Sequence, residues 1–261
     1  MRRTLIVATC LVLAGMASQA THAAIIAGQY VPDELVGQTG TQYRLIFVTS
    51  GSIQAESDDP AVYDQFLAEQ VAGTMLGSYD YGWKAVISTA SDTSAPDGQR
   101  IAKDIVSDPD YENYAGVFNT VGDMVAETGN SMLDGSLSSP VLYDQNGKSV
   151  YIGYAWTGSY SDGTGYFTAP PGRVGEDNGS TVIGDPGATD GTWLYRANVR
   201  RTMNFDVPGS GSISIPFVAR IYGMSDVLEV PVVPEPATFV MWSLLAGIGS
   251  VVFWRRRRQG N

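Results

Sequence analysis

The most apolar stretch in the interior of the chain is Tyr43 to Thr49, YRLIFVT, a dense run of apolar and β-branched residues that predicts a buried strand. Farther on, Asp59 followed by Pro60 places a capping residue and an N1 proline where a helix prefers them. Tyr63, Phe66, Leu67, Gln70, Val71, Thr74 and Met75 then recur at helical spacing until Gly77 stops the pattern. This is the clearest amphipathic helix in the sequence. Trp83 to Thr89, WKAVIST, alternates as a strand does. Val141 to Tyr143 and Ser149 to Ala155 enclose Asn146-Gly147, the strongest short signal for a hairpin turn. Thr192 to Val199 and Ser212 to Tyr222 read as further strands, the latter at an edge or bulged because Pro216 cannot donate a ladder hydrogen bond.

The two ends follow a different pattern. Arg2 and Arg3 precede an apolar stretch, Leu5 to Ala17, that is short for a membrane span, and small residues around Ala20, Ala23 and Ala24 follow. This order predicts a signal peptide over residues 1–24, cut by signal peptidase after Ala23 or Ala24. At the other end, PVVPEP at Pro231 to Pro236 is followed by 18 apolar residues, Ala237 to Trp254, and then by Arg255, Arg256, Arg257 and Arg258. As a helix the apolar run would be about 27 Å long. That length predicts a transmembrane helix over 237–254, with the arginines as a cytoplasmic stop. Residues 25–230 show no internal repeat or low-complexity linker, so they read as one extracytoplasmic domain.

Composition narrows the chemistry of that domain. Thirty glycines and 13 prolines with only 16% charged residues predict many turns and little long helix. The formal charge is -11; setting aside Arg2, Arg3, the four C-terminal arginines and Glu235 leaves 10 basic against 26 acidic residues, about -16. Such a surface repels the phosphates of nucleic acid. The one cysteine, Cys10, and the one histidine, His22, fall in the export segment. A domain without them has no disulfide, thiol nucleophile, zinc-thiolate site or Ser-His-Asp machinery.

The order Pro234-Glu235-Pro236, apolar segment, arginine cluster resembles the PEP-CTERM sorting signal over residues 231–261. The resemblance implies an exosortase-type enzyme cutting near the Pro-Glu-Pro motif and a Gram-negative producer of exopolysaccharide. It also implies transient anchoring in the inner membrane through the C-terminal helix, then release to the cell surface or extracellular matrix. The succession LIFVTS, WKAVIST, LDGSLSSPVLYDQNG, AWTGSYSDGT and TDGTWL is similar in order to the C-type-lectin-like fold, in its endostatin-like branch. That resemblance implies an α+β domain, mostly antiparallel strands with one or two helices and long loops. Trp156 and Trp193 would be core residues flanking a loop region from Gly158 to Gly191. The calcium-dependent sugar motifs and zinc-binding histidines of that family are absent, so no binding residue carries over.

Within the loop region, Asp162, Glu176, Asp177, Asn178, Asp185 and Asp190 stand among glycines, the oxygen-rich setting that calcium prefers. Asp162, Asp177, Asp185 and Asp190 are the candidate ligands of a structural calcium, although no Asp-x-Asp-x-Asp-Gly string occurs; otherwise no cofactor is expected. Tyr151, Tyr154, Trp156, Tyr160, Tyr166 and Phe167 lie in the same part of the chain. Flat rings beside Asp and Asn side chains are what sugar rings bind. Strand alternation assigns Tyr154 and Trp156 to the core. Tyr160, Tyr166 and Phe167, among glycine and serine, are the candidate ligand platform. The expected function is that of an exported, non-catalytic binding or matrix module associated with extracellular polysaccharide. The alternatives are a carbohydrate-active hydrolase using paired carboxylates and a self-associating coat protein.

Overall fold

A computed structural model describes residues 23–90, 100–107, 113–151, 153–167, 172–176, 179–207 and 211–232, with only the backbone course at 204–207 and 211–213. Residues 1–22 of the expected signal peptide (1–24), the Pro234-Glu235-Pro236 motif, the apolar segment 237–254, Arg255 to Arg258 and Asp177 lie outside the described residues.

Thirteen strands, two α-helices and four short 3-10 turns make up the regular structure of these residues. The strands are β1 (Ala23–Ile26), β2 (Gln29–Pro32), β3 (Gln42–Val48), β4 (Lys84–Ala85), β5 (Tyr114–Asn119), β6 (Met124–Ala126) and β7 (Ala155–Trp156). They continue with β8 (Ser180–Gly184), β9 (Ala197–Arg200), β10 (Thr202–Val207), β11 (Gly211–Pro216), β12 (Tyr222–Met224) and β13 (Leu228–Glu229). The helices are α1 (Pro60–Val71) and α2 (Ala102–Val106). The largest sheet runs β4-β12-β3-β5-β6, with β13 also on β3; β3 and β5 are parallel and the other pairs antiparallel. A second sheet has the order β7-β8-β9, and β1-β2 and β10-β11 are two-stranded ribbons.

The centre of the large sheet explains the apolar run from Tyr43 to Thr49. Along β3, Tyr43, Leu45 and Phe47 enter one buried cluster, while Ile46 and Val48 enter another. Both faces are covered, which is why the strand shows a continuous apolar run rather than alternation. Tyr63, Leu67 and Val71 of α1 close the first face, and Ala102 and Val106 of α2 lie in the cluster of the second. The expected start of α1 is realised: the Asp59 carboxylate accepts from the Ala61 N–H at 2.9 Å, and Pro60 occupies the first turn. The helix ends at Val71, and Met75–Gly77 forms a separate 3-10 turn.

The class expected from the sequence is corrected. In place of the expected α+β, C-type-lectin-like class, the regular structure of the described residues is mostly sheet. Its only α-helices among the described residues have 12 and 5 residues. No helix among the described residues is long and apolar enough to cross a membrane. The region from Gly158 to Gly191, expected as loop, contains β8, the middle strand of the second sheet. Trp83 to Thr89 shrinks to the two-residue β4, with Thr89 bridging Val174. Many of these strands are two to four residues long, and segments that short cannot establish a period by themselves. The turn at Asn146-Gly147 is present: Tyr143 bridges Ser149, and the Asp144 carboxylate accepts from the N–H groups of Asn146 and Lys148 at 2.8 and 2.9 Å.

Candidate functional site

Both expected core tryptophans are fully buried and fully paired. The indole N–H of Trp156 donates to the Ile53 carbonyl at 2.8 Å, and that of Trp193 donates to the Met132 carbonyl at 3.0 Å. They anchor the two ends of the candidate site. Tyr154, assigned to the core by alternation, is instead 37% exposed, with the Arg196 guanidinium 5.4 Å from its ring centre.

After Trp156 the chain makes a tight excursion. Ser159 bridges Gly165, the Tyr160 N–H donates to the Thr164 carbonyl at 2.8 Å, and the Tyr166 N–H donates to the Gly158 carbonyl at 2.9 Å. Gly158 is essential to the geometry, since its φ of +63° is in the left-handed region and a Cβ there would overlap the Ser88 carbonyl oxygen. The excursion brings Tyr160 and Tyr166 together, with ring centres 4.6 Å apart. Tyr195, which the sequence did not single out, completes the group. It lies between the 3-10 turn Gly191–Trp193 and β9, and its ring stacks on Tyr166 at 5.5 Å with planes 15° apart. Its centre is 6.0 Å from that of Tyr160. All three rings are half-buried. The Tyr195 hydroxyl is raised above the ordinary phenol range, first by its hydrogen bond with Tyr166 and then by burial.

Phe167 does not join the stack. It is 54% exposed, and the Arg173 guanidinium lies 4.7 Å from its ring centre while also pairing with Glu176 at 2.9 Å. The candidate calcium ligands have local work. Asp162 accepts from the Thr164 N–H and hydroxyl at 3.0 and 2.6 Å. Burial works against its charge, but these hydrogen bonds outweigh it and the carboxyl lies below its ordinary value. Asp190 likewise lies low, first because the Thr192 hydroxyl donates to it and then because the Thr192 N–H does. Asp185 accepts from the Gly187 N–H at 3.0 Å and pairs with Arg196 at 2.6 Å. Among the described residues no three acidic side chains gather into a metal-holding group. Asp162, Asp185 and Asp190 set the turns that frame the tyrosines.

A cavity lies elsewhere in the fold, where the sequence suggested no site. It has a volume of about 310 Å³ and opens between the end of α1 and the string Tyr79-Asp80-Tyr81-Gly82-Trp83. Ala68, Val71, Ala72 and Leu76 supply its apolar side. The Tyr81 ring lies 5.1 Å from Tyr79 and 5.3 Å from Trp83. The density of rings, glycine and aspartate in that string was the available sequence signal. The alternation from Trp83 onward absorbed it as strand.

The chain as a whole matches no protein-family model and no curated protein.

Proposed function

We propose that this chain is an exported, non-catalytic binding module of the cell surface or extracellular matrix that holds extracellular polysaccharide on the face formed by Tyr160, Tyr166 and Tyr195. The observation that carries the reading is the packing of three half-buried rings from two separate segments, Tyr166 and Tyr195 near parallel and Tyr160 tilted against both. Such rings present C–H-binding faces with phenol groups beside them, and they lose little conformational entropy when a ligand arrives. Asp162 and Asp190 hold the turns on either side through fixed hydrogen bonds, so the face is organised before binding. The export signals read from the two termini support delivery outside the cytoplasm, with processing at Pro234-Glu235-Pro236 by an exosortase-type enzyme.

Retention of the purified protein on the producer's own exopolysaccharide tests this reading. Tyr160→Ala, Tyr166→Ala and Tyr195→Ala should each weaken retention about three- to tenfold, the worth of one aromatic contact of about 0.5–1.5 kcal/mol. Equal retention of all three variants, or none by the parent protein, refutes it.

One observation favours a self-associating coat role as the second reading. The ribbon β10-β11 pairs over six positions on each strand, joins no other sheet among the described residues, and exposes Met203 and Ile215. Open strand edges are templates for a second copy. Sedimentation of the ligand-free protein as a single species across a hundredfold concentration range would remove that reading.

A further inference from the structure

The cavity beside α1 has a chemistry of its own. Its lining is three rings, small apolar side chains and one carboxylate, with no lysine or arginine. Tyr79 and Asp80 stand at its exposed rim, Tyr79 being 40% exposed. The carboxylate of Asp80 accepts only from the Gly82 N–H at 3.3 Å, and no cation pairs with it among the described residues. A second carboxylate is adjacent: Asp226 packs so closely on Gly82 that a Cβ there would overlap it, and it too is exposed and unpaired with any described cation. The indole N–H of Trp83 is buried with no acceptor among the described residues. A donor left in that state costs about 1–3 kcal/mol and is satisfied when an acceptor arrives.

Anions are excluded by two uncompensated carboxylates in a domain that is already strongly acidic. A purely apolar ligand leaves those carboxylates and the Trp83 donor unused. A sugar ring fits the walls, and a positive charge on that ring fits the rim, where Coulomb attraction and ring quadrupoles act together.

We propose that this cavity is a second saccharide subsite, selective for an amine-bearing sugar residue in its ammonium form, with Tyr79 and Trp83 contacting the ring and Asp80 and Asp226 receiving the ammonium. The identification of a saccharide rests on the polysaccharide reading given above; the cavity adds the class of sugar. A partner polysaccharide rich in free amines is polycationic, and the acidity of the whole domain then steers it to the surface.

Calorimetric titration of the purified protein with chitosan oligosaccharides, their fully N-acetylated counterparts of equal length, and polylysine of matched charge tests the proposal. The deacetylated sugar should bind at least tenfold more tightly than either of the others, and more weakly as salt rises. Asp80→Asn and Asp226→Asn should each weaken it about three- to fivefold, as befits exposed pairs, and Tyr79→Ala about tenfold. All three residues are at the surface, so the variants should keep the parent's unfolding midpoint. Equal binding of the acetylated sugar, equal binding of polylysine, no binding of the deacetylated sugar, or indifference to these three substitutions each overturns the proposal. Tyr160→Ala separates the two sites. If it abolishes retention on exopolysaccharide while chitosan does not bind, the cavity assignment fails and the tyrosine face stands. If chitosan binding depends on Asp80 and Tyr79 while the tyrosine variants retain exopolysaccharide fully, the tyrosine face fails and the cavity stands.

Discussion

Removing the carboxylate of Asp64 is the sharpest perturbation of the framework. Asp64 lies on α1 and receives a two-pronged fork from Arg100, Nη1 to Oδ1 at 2.6 Å and Nη2 to Oδ2 at 2.7 Å. It also accepts the Ala85 N–H of β4 at 2.9 Å and lies 3.5 Å from Lys84 Nζ. The Asp64 and Arg100 side chains are only 18% and 14% exposed, whereas Lys84 is 47% exposed. The Lys84 leg is therefore worth at most about 1 kcal/mol. The fork and the backbone bond matter more. Hydrogen bonds to charged groups contribute about 1.5–3 kcal/mol, and truncation strands a mostly buried guanidinium. Breaking a fully buried pair costs about 3–5 kcal/mol; discounted for the remaining exposure, Asp64→Ala should cost about 2–4 kcal/mol. Asp64→Asn keeps an acceptor for Ala85 and should cost less, about 1–2 kcal/mol.

Urea unfolding followed by tryptophan fluorescence measures these differences as shifts in midpoint at constant slope. The cycle completed by Arg100→Leu and the double variant should give a coupling of about 1–3 kcal/mol. A midpoint for Asp64→Ala within about 0.5 kcal/mol of the parent, or a coupling near zero, refutes the assignment of Asp64 as the clasp that holds α1 to β4 and to Arg100. The clasp sits next to the aromatic cavity, so Asp64→Ala should also weaken any ligand that enters beside Trp83.

Alkaline titration should unfold the protein cooperatively. Burial holds the hydroxyls of Tyr30, Tyr43, Tyr63 and Tyr222 above the ordinary phenol range. Because the folded values are raised, this stability is fully present below about pH 10, the unfolded value, and is lost as pH rises beyond it. Tyrosinate absorbance should appear together with loss of tertiary structure; gradual ionisation in a folded protein would contradict it. Gly158→Ala should cost more than about 2 kcal/mol, from left-handed backbone strain plus overlap with Ser88, and should loosen the Tyr160 excursion; unchanged thermal unfolding would refute this. Asp190 is lowered in the folded state, so its contribution is present above the unfolded carboxylate range near pH 4 and disappears as pH falls through the lower folded value. A carbon-13 titration of its carboxyl at or above that range would contradict the Thr192 hydrogen bonds.

Local chemistry alone determined several parts of this protein. The YRLIFVT run became the strand buried on both faces, because covering both sides of a sheet demands apolar residues at most positions; buried Arg44 is accommodated by donating to the Ser225 carbonyl. Asp59-Pro60 became the start of α1, since cap and fixed φ act within one turn, and Asn146-Gly147 made its reversal for the same reason. Trp156 and Trp193 went to the interior as their size requires. Tertiary structure decided the remainder. The sheet content of the 158–191 region depended on β8 finding β7 and β9, and a strand of five residues carries no record of its partners. The tyrosine face required Tyr195 to meet Tyr160 and Tyr166 from another segment, and Asp64 required Arg100 from beyond β4. Charges, rings and open strand edges state what they can bind, but only the packed chain selects which of them meet, because that choice is made by long-range burial and not by neighbouring residues.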